Sequence, residues 1–206
     1  MENIILFAHV LTGFIALFVG SLIMTKKKGT KFHRLLGRVF FWSMNGVVLT
    51  ALYLSVIKNN LFLLHVGIFV FYQNFAGWRT VKTKSVLFKW YDVAIAVISV
   101  LNGFAMVIGG NIVLIIFGGI SIFLFFGYLR SFILLNKNKK LKRIEWLVQH
   151  ISMKVGAYIG TFTAFLVVNI NLGEFNWIVW IAPTIVFVPI LNYWNYRFAF
   201  KKENVG

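Results

Sequence analysis

Long apolar segments alternate with short polar ones along the whole chain. The apolar segments run for roughly 17–25 residues, the length that a helix needs to cross a hydrocarbon core of about 30 Å. Because few charges interrupt them, each segment is predicted to be a membrane-spanning helix. The seven predicted spans cover residues 3–24, 38–57, 61–77, 88–108, 112–135, 146–168 and 177–198. Residues 1–206 are therefore predicted to form a single polytopic domain of the all-α class, a bundle of seven transmembrane helices.

Local signals modify three of these spans. The first lacks a basic segment before it and a small-residue cleavage site after it, so we expect it to be retained as a span. Thr30 is a suitable N-cap for the second helix, which would then begin before its apolar segment and carry His33. Pro183 and Pro189 are predicted to interrupt the seventh span, because proline lacks the backbone donor that a helix uses.

Composition supports the membrane assignment. The chain is 60% hydrophobic and 13% charged, whereas a soluble domain has about 25% charged residues. The surplus apolar surface must therefore face lipid. The chain contains no cysteine, which excludes disulfides, thiolate metal sites, iron–sulfur clusters and covalently attached haem.

The basic residues predict the orientation of the chain. The formal net charge is +16, and 19 of the 21 Lys and Arg residues fall in the segments after spans 1, 3, 5 and 7 or in the span ends that border those segments. Short loops rich in Lys and Arg stay in the cytoplasm. We therefore expect a multi-pass protein of the cell (inner) membrane with its N-terminus outside and its C-terminus in the cytoplasm. The predicted partners are the bilayer and anionic lipid head groups at the cytoplasmic face, not nucleic acid.

Ionisable side chains within spans are costly and usually functional. The histidines sort by depth into an outer pair, His9 and His65, and an inner pair, His33 and His150. Two imidazoles on facing helices can ligate a haem iron from both sides. The pairs therefore predict haem b binding and electron transfer across the membrane.

The inner half of the bundle offers two further hypotheses. His33, Asp92 and His150 could form a two-histidine, one-carboxylate site for a divalent metal. Lys154 argues against that site because its ammonium would repel a cation, and we expect it to pair with Asp92 instead. A polar cluster on the cytoplasmic side would then serve a transporter or a small-ligand binding protein. Its members are Asp92, Lys154, Gln73, Asn74 and Gln149.

A structural role for the same residues is the alternative to all of these. Each histidine would hydrogen-bond a neighbouring helix, and the small residues on its helix face would serve packing. The protein would then be a non-catalytic membrane component that acts through partners. The sequence contains no P-loop, no Gly-rich dinucleotide turn and no His-Glu-x-x-His motif, so it leaves open whether the protein is an enzyme.

Two resemblances come from the histidines and their neighbours. The first spans contain His9-x-x-x-Gly13, then Lys28-Gly29-Thr30-Lys31 and His33-Arg34-x-x-Gly37-Arg38. This pattern resembles an uncharacterised bacterial family of polytopic membrane proteins, a domain of unknown function, and implies no activity. The paired histidines are similar in architecture to transmembrane diheme b-type cytochromes that pass electrons from ascorbate, although those proteins usually have six spans. That likeness implies haem binding.

Overall fold

The computed structural model describes residues 2–86, 89–136 and 145–200. Within those ranges the chain is helical, and seven helices are long and apolar enough to cross a membrane, which confirms the predicted all-α class and number of spans. The helices are α1 Glu2–Thr25, α2 Lys31–Ile57, α3 Leu61–Thr83, α4 Trp90–Ile108, α5 Ile112–Asn136, α6 Glu145–Asn169 and α7 Asn176–Asn195. A 3₁₀ turn at Gly173–Phe175 precedes α7, and a π-helical turn at Tyr196–Phe200 follows it. The basic segments at 137–144 and 201–206 lie outside the described residues.

The helix boundaries follow the local signals in α2 but not in α7. The Thr30 hydroxyl accepts a hydrogen bond from the His33 backbone N–H at 3.1 Å, so α2 begins at Lys31 as predicted. The predicted interruption of the seventh span is wrong, because α7 continues through Pro183 and Pro189. Membrane helices tolerate proline where neighbouring groups and local adjustments satisfy the freed backbone carbonyls.

The bundle has two ends of different charge. We call the end where α1, α3, α5 and α7 finish and α2, α4 and α6 begin the basic end. These helix ends are joined by Lys28 with Trp194, Asn195 with Ser152, His150 with Gly77, and Arg130 with Glu145. At the opposite end, Lys58 pairs with Glu2 at 3.1 Å. Among the described residues, the basic segments that alternate along the sequence therefore lie together at one end of the bundle.

Lys28 fixes the loop between α1 and α2. Its ammonium donates to the backbone carbonyls of Ile23 and Met24 in the last turn of α1 and lies 4.4 Å from the centre of the Trp194 ring. A cation at a helix C-terminus is favourable because unpaired carbonyls carry partial negative charge there. Burial lowers the pKa of the Lys28 ammonium from its ordinary value. Lys28 therefore connects the end of α1 to the end of α7.

Helices α3 and α6 form the centre of the bundle. Helix α3 packs against α2, α4 and α5 as well as α6, and α6 also contacts α1 and α7. Glycines permit the close approach of the two central helices. A Cβ at Gly160 would lie 2.7 Å from a Val70 methyl, and one at Gly77 would lie 3.0 Å from the stem of Lys154. Small residues at such crossings let two helix backbones come near enough for van der Waals and polar contact.

Helices α4 and α5 make the second close crossing. A Cβ at Gly118 would lie only 2.6 Å from the backbone oxygen of Gly103. The buried Ser99 and Ser121 hydroxyls are 3.0 Å apart across the same interface. Gly119, the next residue of α5, faces open space, and a methyl group added there would meet no neighbouring group within 4 Å. The two adjacent glycines therefore have different roles.

Gly118→Ala and Gly119→Ala form a matched pair that tests this crossing. An added methyl at position 118 must displace backbone, so we expect the free energy of unfolding to fall by about 1–3 kcal/mol, as overpacking does. The same methyl at 119 meets nothing, and we expect a change within about 0.5 kcal/mol. Unfolding in mixed micelles measures both values. Equal losses in the two variants would contradict the close approach of α4 and α5.

Candidate functional site

Asp92 pairs with Arg79 at the basic end. Its carboxylate accepts hydrogen bonds from Nε and a terminal nitrogen of Arg79 at 3.0 and 3.3 Å, and from the Lys89 backbone N–H at 2.9 Å. The two side chains are 8% and 11% exposed. Asp92 therefore stabilises the first turn of α4 and joins it to the end of α3. The predicted pairing of Asp92 with Lys154 is wrong, because Arg79 on the preceding helix takes that place.

Lys154 is bound instead by neutral groups of α3 and α2. Its ammonium donates to the backbone oxygen and to Oδ1 of Asn74, at 2.8 and 2.7 Å. It also lies 4.9 Å from the centre of the Phe41 ring, whose negative face attracts a cation. Asn74 in turn donates to the Phe41 backbone oxygen at 3.3 Å. Carbonyl oxygens and an aromatic face therefore surround the ammonium. No carboxylate is among its contacts with the described residues.

The structure divides the predicted polar cluster into two places. Lys154, Asn74 and Gln73 lie in the seam between α3 and α6, where the Gln73 side chain packs against Gly156. Asp92 and Gln149 line a separate cleft between α3, α4, α5 and α6. The seam residues are used in helix packing, and the cleft residues face open space.

The outer histidines do not face each other. Nδ1 of His9 lies 2.9 Å from the Thr50 hydroxyl and 3.2 Å from the Val47 backbone oxygen, both on α2. Nδ1 of His65 lies 2.7 Å from Oδ1 of Asn102 on α4, and the Asn102 amide donates back to the His65 backbone oxygen. These contacts occupy Nδ1 and leave Nε2 of each ring for other partners, so haem binding by His9 and His65 stays a prediction. Each imidazole holds a different pair of helices.

The inner histidines are also engaged differently from the prediction. His150 Nδ1 lies 3.0 Å from the Gly77 backbone oxygen, so it joins α6 to α3. Nδ1 of His33 is buried without a hydrogen-bond partner among the described residues. Asp92 is held by Arg79 on another side of α3. The metal site predicted from His33, Asp92 and His150 is not assembled, and within the described residues no three His, Asp or Glu side chains could hold a metal ion together.

Haem b binding by the outer histidines gains no support from these contacts. Axial ligation requires two imidazole nitrogens on opposite faces of one iron. The hydrogen bonds of His9 and His65 direct these rings towards α2 and α4 respectively. At the inner side, Nδ1 of His150 lies beside the Gly77 backbone oxygen, and Nδ1 of His33 is buried without a partner among the described residues. Haem binding by this second pair stays a prediction.

A cleft opens at the basic end of the bundle. Its inner space is about 30 Å³, enough for a small polar group, and the rest of the cleft is open to solvent. Tyr72, Ala76 and Arg79 of α3 form one wall, and Asp92, Tyr128 and Gln149 are contributed by α4, α5 and α6. Residues of the loop that follows α3 lie at its rim. A cleft with an ion pair, two phenols and an amide can bind a polar group while its apolar wall contacts a hydrocarbon or aromatic part.

Tyr72 carries the most informative group of this cleft. The residue is 4% exposed, and its hydroxyl has no hydrogen-bond partner among the described residues. The side chain lies close to Tyr128 and Asp92. A buried hydroxyl without a partner is unfavourable by about 1–3 kcal/mol, so most buried polar groups find one. The Tyr72 hydroxyl therefore has hydrogen-bonding capacity that none of the described residues uses.

Two of the cleft's main groups were missed at the level of sequence. Arg79 lies beyond residue 77, where the third span is predicted to end, although α3 extends to Thr83 and carries it. Tyr72 lies within that predicted span, where hydropathy gives its hydroxyl no role. The signal that could have found Arg79 is its position one loop before Asp92, since short connections bring helix ends together.

The chain matches no protein-family model, and no curated protein or solved structure is significantly similar to it. The geometry of the described residues is therefore the basis for assigning a function.

A double-mutant cycle distinguishes the observed ion pair from the predicted one. Asp92→Asn and Arg79→Gln remove groups in contact, so we expect their effects on the free energy of unfolding to be coupled by about 1–3 kcal/mol. Asp92→Asn and Lys154→Met act on separate contacts and should be additive within about 0.5 kcal/mol. Unfolding in mixed micelles gives both cycles. Coupling of Asp92 to Lys154, with none to Arg79, would reverse the assignment.

Proposed function

We propose that this multi-pass membrane protein binds a small ligand in the cleft at its basic end. The observation that carries the proposal is the buried Tyr72 hydroxyl, which lacks a protein partner among the described residues and lines the cleft. A ligand atom that bonds to this hydroxyl would remove the cost of leaving it unpaired. Apolar pockets with a few convergent polar groups are the usual form of small-molecule sites.

The charged groups support binding more than a purely structural role. Arg79 uses Nε and one terminal nitrogen for Asp92, and its other terminal nitrogen makes no hydrogen bond within the described part of the chain. The Gln149 amide is also without a hydrogen bond there. Polar groups that served only to join helices would pair with each other, as His65 does with Asn102. The cleft instead presents several groups with unused hydrogen-bonding capacity.

Haem-linked electron transfer has less support than ligand binding. Three of the four histidines are used in contacts between helices, where Nδ1 bonds to a neighbouring helix. Intramembrane imidazoles without such partners would be costly, so these contacts account for their presence. The absorption spectrum of the purified protein tests haem binding directly, and a Soret band would restore that hypothesis.

We further propose that the basic end faces the cytoplasm. Lys and Arg residues near the ends of spans are retained on the cytoplasmic side during insertion. The described residues place Lys27, Lys84 and Lys89 at this end, all exposed. The opposite end holds Lys58, which Glu2 neutralises. The cleft would then open towards the cytoplasm of a cell whose inner membrane contains the protein.

Cysteine labelling tests this orientation without background, because the natural chain has no cysteine. Lys27→Cys lies at the basic end and Glu174→Cys at the opposite end, and both positions are exposed. A membrane-impermeant maleimide added to intact cells should label Glu174→Cys, and Lys27→Cys only after lysis. The reverse pattern would show that the cleft opens to the outside.

A second pair of single cysteines tests whether the cleft is open. Ala76 lines the cleft and Ala96 does not, although each lies about 10 Å along its helix from the basic end. We expect a small charged methanethiosulfonate to modify Ala76→Cys at least tenfold faster than Ala96→Cys, because water reaches the first position. Mass spectrometry of timed samples gives the two rates. Equal rates would mean that the cleft is closed, and ligand binding there would be refuted.

A further inference from the structure

We infer that the ligand of the cleft presents an oxyanion, a carboxylate or a phosphate, to Tyr72 and Arg79. This inference rests on the proposed function, since it names the chemical class that the cleft would bind. It follows from three features of the cleft: the groups that are already occupied, the groups that are left, and the surrounding charge.

The carboxylate that lines the cleft already accepts hydrogen bonds from other groups of the protein. The Asp92 carboxylate already accepts from two nitrogens of Arg79 and from the Lys89 backbone N–H. The Thr80 hydroxyl donates to backbone carbonyls of its own helix. An ammonium would therefore find only neutral acceptors here, the Tyr72 and Gln149 oxygens, whereas an oxyanion can also bind the Arg79 guanidinium.

The groups that remain can all donate a hydrogen bond to an oxyanion. They are the Tyr72 hydroxyl, the spare terminal nitrogen of Arg79 and the amide of Gln149. Tyr72 and Arg79 are two turns apart on one face of α3, and both line the cleft. Guanidinium nitrogens bind carboxylates and phosphates well because the planar fork matches two oxygens.

The surrounding charge also favours an anion. Arg79 and Asp92 neutralise each other, so the cleft lining carries no net charge. Lys84 and Lys89 are exposed in the connection between α3 and α4, whose Ser85 and Val86 line the cleft, and their charge makes the local potential positive. A positive potential raises the local concentration of anions and lowers that of cations. The basic rim and the donor lining therefore select the same class of ligand.

Two sources of the oxyanion fit the position of the cleft. Arg79 lies about 6 Å from the end of α3, and Asp92 lies about 3 Å from the start of α4, which is the depth of lipid head groups. Basic pockets between helices at a cytoplasmic face bind anionic head groups. A soluble phosphate or carboxylate could enter from the aqueous side. The shared chemistry is the oxyanion, and the source is decided by experiment.

Thermal unfolding of the full chain in an uncharged detergent tests the inference. The probes are inorganic phosphate against chloride at equal ionic strength, and phosphatidylglycerol against phosphatidylcholine with the same acyl chains. A ligand that binds the folded state raises the unfolding midpoint in proportion to the logarithm of its concentration. We expect phosphatidylglycerol to raise the midpoint of the wild-type protein more than phosphatidylcholine does. A rise with phosphate as well would show that a soluble oxyanion is sufficient.

Tyr72→Phe separates binding from folding, because the hydroxyl has no protein partner among the described residues to lose. We expect the ligand-free midpoint to stay equal or rise, and the apparent Kd for the anionic probe to increase about tenfold, the loss of one hydrogen bond to a charged group. Tyr158→Phe is the matched control, since its hydroxyl lies 2.8 Å from the Ser21 hydroxyl and outside the cleft. Its affinity for the probe should equal that of the wild type.

Gln149→Leu provides a second cleft variant that leaves the ion pair intact, and its affinity should also fall. The inference is overturned if no anionic probe shifts the wild-type midpoint, or if Tyr72→Phe and Gln149→Leu bind the probe as tightly as Tyr158→Phe does.

Labelling of Ala76→Cys is independent of the ligand. An open cleft that ignores both anions would refute the oxyanion while leaving ligand binding in place, whereas a closed cleft would refute both.

Discussion

The packing of α3 on α6 is the constraint on which the rest of the bundle depends. Without a hydrophobic force between helices in lipid, association requires close packing and interhelical hydrogen bonds. Glycines at the crossing bring the backbones together. Lys154 and His150 of α6 then reach α3 carbonyl oxygens one turn apart, at Asn74 and Gly77. The other helices attach around this pair, α2 and α4 to α3, and α1 and α7 to α6.

The cost of unpaired polar groups in lipid explains why the Tyr72 hydroxyl points to function. In hydrocarbon each unpaired donor or acceptor is costly, so nearly every buried polar side chain of the described residues joins two helices or bonds its own backbone. His65 with Asn102 and Ser99 with Ser121 are such junctions. Tyr72 lies on the same helix as His65 but bonds to neither neighbour. Unpaired atoms of His33, Thr163 and Asn195 are buried elsewhere in the bundle, and Tyr72 differs from them because it lines the cleft.

Hydropathy predicted the spans because membrane thickness fixes their length, whatever the helices pack against. It also predicted the depth of each ionisable residue, but depth leaves the rotation of a helix about its axis undetermined. His9 and His65 were expected to meet because they lie level, and they bond instead to α2 and α4. The pairing of Asp92 with Arg79 depends on helix length. Helix α3 extends past its apolar segment and places the Arg79 guanidinium beside the first turn of α4. Helix rotation arises from packing contacts that a single sequence does not display.

The central claim is that the Tyr72 hydroxyl is completed by a group from outside the chain. An experimental density map of the protein purified with its native lipids tests this most directly. The account predicts density that belongs to no residue of the chain, within hydrogen-bonding distance of the Tyr72 hydroxyl and of the spare Arg79 nitrogen. A Tyr72 hydroxyl that bonds to another protein group in a closed cleft would contradict the claim.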